Sequence, residues 1–178
     1  DLLTYEKGGS VLRMLEQFLG EDEFRDGISY YLNKHKYKNT DTSDLWDAIE
    51  HVTQQPARRI MDSWIFQRGY PLVGASISED GSTVTLEQDR FLYTGGEAAD
   101  TTIWSVPVVL KLGSGSGVSE LRYLLEEKSA EVELDEPATW AVVNAGGSGF
   151  FRTRYASAML TALSASMFQN LSPIERYG

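Results

Sequence analysis

Thr4-Tyr5-Glu6-Lys7-Gly8-Gly9-Ser10-Val11-Leu12-Arg13-Met14-Leu15-Glu16 decides how the first half of the chain is read. A tyrosine stands at the mouth of a helix, two glycines follow, and an apolar stripe begins. Val11, Leu12, Leu15, Phe18 and Leu19 fall on one face of an α-helix. Gly8 and Gly9 are poor helix formers, so their use here is close approach to a neighbouring backbone. Tyr5 has two readings. It packs as part of a buried helix, or it turns its hydroxyl into a site as a donor to a developing oxyanion.

Outward from this helix the helical period continues. Gly20 suits a helix end. Glu21, Asp22 and Glu23 suit the first turn of a second helix, where the dipole favours negative charge. Its stripe is Phe24, Ile28, Tyr31 and Leu32, with Lys34, His35, Lys36 and Lys38 at the basic end. Asn39-Thr40-Asp41 reads as a turn. Thr42 or Ser43 caps a third helix, with Leu45, Ile49 and Val52 inward. Pro56 fits the first turn of a fourth, in which Ala57, Ile60, Met61 and Trp64 recur at helical spacing.

The period changes at Arg68-Gly69-Tyr70-Pro71. Val73, Ala75 and Ile77 alternate with Leu72, Gly74, Ser76 and Ser78, and Asp80-Gly81 is a hairpin signal. Val84 and Leu86 alternate with their neighbours. A loop over Tyr93 to Thr102 holds Gly95-Gly96. Ile103 to Leu112 is a further strand, with Pro107 implying an edge or a bulge. Gly113 to Gly117 reads as a flexible hairpin loop. Val118 to Glu126, Ala130 to Leu134, Thr139 to Val143 and Phe150 to Tyr155 bring the count to about seven strands, which suggests a β-sandwich. Met159, Leu160, Leu163, Met167 and Phe168 return to helical spacing. Ser172-Pro173-Ile174-Glu175 carries a capping box.

The 178 residues are 42% hydrophobic and carry a net charge of −10. Residues 1–70 hold 9 basic and 12 acidic groups, residues 71–156 hold 6 and 13. An acidic chain is a poor partner for nucleic acid or an anionic membrane surface. No apolar run reaches the ~18 residues of a spanning helix. Zero cysteines exclude disulfides and thiolate metal sites in this chain. The compartment stays open, with the cytoplasm preferred.

Few side chains carry chemistry. His35 and His51 are sixteen positions apart and lack ligand spacing. Gly113-Ser114-Gly115-Ser116-Gly117 lacks the Lys-Ser/Thr and the helix that make a phosphate loop. Glu126, Glu127, Glu131, Glu133 and Asp135 alternate along strands as a solvated acidic face. Trp64, Trp104 and Trp140 read as core. Tyr5 remains the one catalytic candidate.

The run from Tyr5 to Glu50 resembles the segment that follows the zinc motif in aminopeptidases of the aminopeptidase N type, the gluzincin metallopeptidases. Those enzymes carry Tyr-x-Lys-Gly leading into Val-Leu-Arg-Met-Leu. The likeness continues through Asp62-Ser63-Trp64-Ile65, Arg68-Gly69-Tyr70-Pro71, Gln88-Asp89-Arg90-Phe91, Trp104-Ser105-Val106-Pro107 and Asn144 to Tyr155. Several strings in one order are more specific than any single motif.

The resemblance implies an α+β architecture: residues 1–69 as the helical tail of a thermolysin-like catalytic domain, 70–156 as a β-sandwich domain, and 157–178 as the start of a C-terminal helical domain. It implies that Tyr5 donates a hydrogen bond to the oxyanion of the tetrahedral intermediate in a zinc-dependent removal of N-terminal residues from peptides. His-Glu-x-x-His occurs nowhere in the sequence, and in the family the zinc ligands lie upstream of the tyrosine. The expectation is therefore a piece of a longer protein. It would bind no zinc itself, be inactive alone, and pack against catalytic and helical domains outside it. The rival reading is a non-catalytic interaction module with the same architecture.

Overall fold

The computed structural model describes residues 2–93 and 100–177, apart from the side chains of residues 2–4 and 166. They form two units, residues 1–68 and 69–178. The first unit is helical: α1 (Leu2–Leu19), α2 (Glu21–Lys34), α3 (Thr42–Thr53) and α4 (Ala57–Ile65). Gly20 ends α1, its N–H meeting the Glu16 carbonyl at 2.8 Å with φ at 107°, a backbone geometry that glycine adopts without strain. The cap of α3 is Asp41, one residue before the expected Thr42 or Ser43. Its carboxylate accepts from the Thr42 N–H at 2.6 Å, and the Asp44 carboxylate accepts from the Asp41 N–H at 2.8 Å. An aspartate with a second carboxylate three residues on can close a reciprocal box that Thr42 or Ser43 could not. Pro56 precedes α4 as its cap rather than entering its first turn.

Val11, Met14, Leu15, Phe18 and Leu19 of α1 are buried, as are Trp46, Ala48 and Ile49 of α3 and Ala57, Ile60, Met61 and Trp64 of α4. The stripe read for α2 is only partly right. Phe24, Ile28 and Tyr31 are half-buried and Leu32 is exposed, whereas Gly27 is buried. A Cβ on Gly27 would stand 3.1 Å from the Ile49 Cα. The close backbone approach expected at Gly8 and Gly9 is therefore made at Gly27. Nothing among the described residues comes within 4 Å of a Cβ at either of the other two. Because α2 meets α3 through a glycine, the flanking side chains straddle the contact and stay half in solvent. In α3, Leu45 and Val52 are likewise half-buried, and Trp46 takes the inward position.

The second unit has two sheets. Sheet one orders β5 (Ser129–Glu133), β2 (Thr83–Arg90), β1 (Pro71–Ile77) and β7 (Arg152–Tyr155). Sheet two orders β4 (Gly117–Leu125), β3 (Val106–Ser114) and β6 (Ala138–Val142). Period-two burial follows the sequence: Val73 and Ala75, then Val84, Leu86 and Gln88, then Val106, Val108, Leu110 and Leu112. The Asp80-Gly81 turn joins β1 to β2 in antiparallel register. It is held by the Asp80 carboxylate, which accepts from Ser78 Oγ at 2.6 Å and from Ser82 N and Oγ at 3.0 and 2.8 Å.

Several strand boundaries differ from the sequence reading. The third strand starts at Val106, not Ile103, because the Trp104 backbone bonds to a side chain instead of a ladder. Pro107 lies where β3 pairs with β4 alone, since β6 meets β3 only from Lys111 to Ser114. On the β6 side no ladder needs a donor at this position. The supposed loop at Gly113 to Gly117 shrinks to the two-residue turn Gly115-Ser116, because Ser114 pairs with Gly117. The Gly95-Gly96 loop lies outside the described residues.

After β6 a 3-10 turn spans Ala145–Gly147, and after β7 come α5 (Ser157–Asn170) and α6 (Pro173–Tyr177). Leu163 of α5 packs on Trp140 and Val142 of β6, flanked by Tyr155, Ala162 and Leu171. Met159 is buried with it, but Leu160 and Phe168 of the expected stripe are exposed. The Ser172 capping box forms: the Glu175 carboxylate accepts from the Ser172 N–H at 2.7 Å.

Candidate functional site

Tyr5 stands in the second half-turn of α1, and its side chain is 80% exposed. Residues three and four positions on cover a helical side chain, because Cα–Cβ bonds tilt toward the N-terminus. Those positions are Gly8 and Gly9. Both are exposed, and a Cβ placed on either would find no neighbour within 4 Å. The phenol therefore stands beside a strip of bare helix backbone. Among the described residues its hydroxyl has no hydrogen-bond partner.

The turn that carries Tyr5 is anchored on its other side. Lys7 Nζ donates to the Gln67 carbonyl at 3.3 Å, and Gln67 Nε2 donates to the Ser63 carbonyl at 2.8 Å. Partial burial pushes the Lys7 ammonium below its ordinary range. Ser10 Oγ donates back to the Glu6 carbonyl at 2.8 Å. A lysine two residues from Tyr5 thus ties the opening turn of α1 to the chain beyond α4 and leaves the tyrosine face clear.

The other candidates do not gather into a site. His35 follows α2 and sits tilted on Tyr31, with ring centroids 5.3 Å apart. His51 closes α3 and stacks on Tyr30 at 4.6 Å. Among the described residues no three His, Asp or Glu side chains are placed to hold a metal ion. Ser114 Oγ donates to the Glu136 carboxylate at 2.9 Å and the Ser116 hydroxyl bonds the same group, which holds that carboxyl below its usual range. The glycine-serine turn thus binds its own chain. Glu127, Glu131, Glu133 and Asp135 are exposed, while Glu126 accepts from Ser105 Oγ at 3.0 Å.

Two polar networks escaped sequence reading. Gln88 is fully buried and bonded to four backbone groups. Its alternation with Val84 and Leu86 was the available signal. Glu175 accepts from Lys111 Nζ at 3.2 Å and from the Gly146 N–H at 3.1 Å, contacts 64 and 29 residues away that no local pattern reveals.

Residues 1–64, which include Tyr5 and the bare strip beside it, match the model of the peptidase family M1 domain. The likeness to named aminopeptidases runs on through the second unit to the end of the chain. The chain is similar to peptidases of family M1. It is 36% identical to the puromycin-sensitive aminopeptidase of Caenorhabditis elegans over 183 residues, covering all of this chain and 19% of that protein. It is 36% identical to aminopeptidase M1 of Arabidopsis thaliana, covering all of this chain and 21% of the relative. It is 37% identical to the tricorn protease-interacting factor F2 of Thermoplasma acidophilum, again over all of this chain and 21% of the relative. The chain spans about a fifth of the length of these relatives. No helix among the described residues is long and apolar enough to cross a membrane. The zinc ion that likeness to M1 peptidases implies has no ligand set among the described residues.

Proposed function

We propose that this chain is the Tyr5-bearing part of a metallo-aminopeptidase that removes N-terminal residues from peptides. Residues 1–69 form the helical end of a thermolysin-like catalytic domain, 70–156 a β-sandwich domain, and 157–178 the start of a further helical domain. The zinc ligands, the general base and the groups that hold the substrate amine belong to segments of the parent outside this chain. The chain alone binds no zinc and turns over no substrate.

Tyr5 is the residue of this chain that acts on the substrate. As the scissile carbonyl becomes tetrahedral, negative charge develops on its oxygen. The phenol hydroxyl donates a hydrogen bond to that oxygen, and the glycine strip lets the peptide backbone approach the helix. A fixed donor of this kind works because it needs no reorganisation as charge appears. The observation that carries this reading is the exposed, unpartnered phenol flanked by two side-chain-free positions, inside the segment that matches the M1 domain.

Tyr5→Phe in the parent enzyme tests it. The ring stays, so packing and metal content should be unchanged. Loss of a donor that engages only as charge develops should lower kcat by ~10²–10³ with little change in KM. A kcat within about threefold of wild type would remove Tyr5 from the reaction.

A further inference from the structure

The outer edge of sheet two is β4, nine residues long, paired with β3 from Gly117 to Leu125 and with no strand on its other side among the described residues. Such an edge presents a row of free N–H and C=O groups, and it usually carries a device that blocks pairing. β4 contains no proline and its register with β3 shows no bulge. Its Val118 is 55% exposed, and Leu121, Tyr123 and Leu124 are half-buried. Glu120 and Arg122 are exposed, and neither makes an ion pair among the described residues.

The sequence of this edge is complementary to itself. An antiparallel two-fold centred on Leu121 sets Glu120 opposite the partner's Arg122, and Arg122 opposite the partner's Glu120. It sets Val118 opposite the partner's Leu124, Ser119 opposite the partner's Tyr123, and the two Leu121 side chains against each other. Leu121 and Tyr123 pair across β3 with buried Leu110 and Val108, so they lie on the core side of the sheet. Glu120, Arg122, Val118 and Leu124 share the other side. The pairing thus places two ion pairs and two aliphatic pairs on one face, and on the other a central leucine pair flanked by two serine–tyrosine pairs. Neighbouring two-fold registers fail: centring on Glu120 or Arg122 sets like charges face to face.

The geometry points to β4 as a homodimer interface, in which two copies of this chain join edge to edge into one six-stranded sheet, β6-β3-β4 continued by the partner's β4-β3-β6. The interface is isologous, so it closes at two copies. A cleft of about 320 Å³ beside β4 is lined by Leu112, Ser119, Leu121 and Leu134 with Glu133 and Glu136 at its rim.

Sedimentation of the chain at rising concentration tests this. Wild type should pass from monomer to dimer at tens to hundreds of micromolar, the weak range for an interface under ~1,200 Å². Glu120→Arg and Arg122→Glu should each weaken the dimer by about tenfold or more, since each sets like charges opposite twice. An equal mixture of the two variants should restore dimerisation as a heterodimer, because arginine again meets glutamate on both sides. Both substitutions are at exposed positions, and unchanged circular dichroism confirms the fold. A strictly monomeric wild type at the highest concentration overturns the proposal. So does a dimer that neither substitution weakens, or one that the mixture fails to restore.

Discussion

The side-chain amide of Gln88 replaces a β-ladder for Trp104. Its oxygen accepts from the Trp104 N–H at 2.9 Å and its nitrogen donates to the Trp104 carbonyl at 2.9 Å. The same nitrogen donates to the carbonyl of Glu127 at 3.0 Å and lies 3.4 Å from that of Leu125. Gln88 belongs to β2 in one sheet, and Leu125 ends β4 in the other. One buried amide therefore fixes the chain entering β3, the chain leaving β4, and the spacing of the two sheets. A buried polar group in this position is tolerated only because its donors and acceptor are paired.

Gln88→Leu keeps the approximate volume and removes every bond. Trp104 is fully buried, so solvent cannot replace what its backbone loses. Each stranded group costs ~1–3 kcal/mol, so the expected loss is about 3 kcal/mol in urea unfolding. Gln88→Glu should be nearly as harmful, since a carboxylate cannot donate to three carbonyls. A loss under about 1 kcal/mol for Gln88→Leu would mean the strand entry is held by packing alone.

Glu175 gives the second unit a pH dependence. Burial raises its carboxyl pKa, but bonds from Ser172, Gly146 and Lys111 outweigh burial and hold it below the ordinary range. A folded pKa below the unfolded one means the stabilisation is complete above the unfolded carboxylate range. It is lost as pH falls through the folded value. Lys111 also donates to the Asn170 carbonyl at 2.8 Å, so the pair pins both ends of the α5–α6 joint to β3. Lys111→Met should cost about 2 kcal/mol at neutral pH. Glu175→Gln should flatten the acid limb of a stability–pH curve, and an unaltered limb would remove Glu175 from the acid transition.

Asp80 offers a titration free of burial. Bonds from the Ser78 hydroxyl and from the Ser82 N–H and hydroxyl push its carboxyl down to about 2. Its contribution to the β1–β2 turn is thus present above the unfolded aspartate value near ~4 and fades as pH drops toward the folded one. NMR titration of the Asp80 carboxyl carbon should locate the midpoint near that value. Ser78→Ala should move it upward, and an unmoved midpoint would show that the hydroxyl does not hold the carboxylate.

Much of this was open to inspection in the sequence because it is local. Val73, Val84 and Leu86 announce strands by alternation, and Ala57, Ile60, Met61 and Trp64 announce a helix by recurrence. All seven are buried as their spacing requires. What stayed hidden depends on partners distant in the chain. Gly27 looks like a flaw in α2 until Ile49 of α3 is placed against it. Leu160 and Phe168 have the spacing of a buried stripe, yet only one side of α5 rests on β6. Asp41 differs from Thr42 as a cap only through Asp44 three residues on. At Tyr5 the sequence supplied the residue type and the glycines, but not that the glycine strip stays bare.

Gly8, Gly9 and Gly27 separate stability from function. All three sit inside helices, where alanine is favoured over glycine by ~1 kcal/mol. At Gly27 an added methyl would stand 3.1 Å from the Ile49 Cα and Cγ1, and backbone cannot give way cheaply. Overpacking of this kind costs ~1–3 kcal/mol, so Gly27→Ala should destabilise on balance. At Gly8 and Gly9 the methyl meets nothing. Gly8→Ala and Gly9→Ala should each stabilise the isolated chain by about 0.5–1 kcal/mol. In the parent enzyme, however, those methyls would lean over Tyr5 and narrow the strip on which the proposed peptide backbone rests. The expected result is a protein with a higher melting temperature and a lower kcat/KM, with the double variant worse than either single one. If both alanines stabilise and turnover is unchanged, the bare strip serves no substrate, and glycine at these positions needs another physical cause.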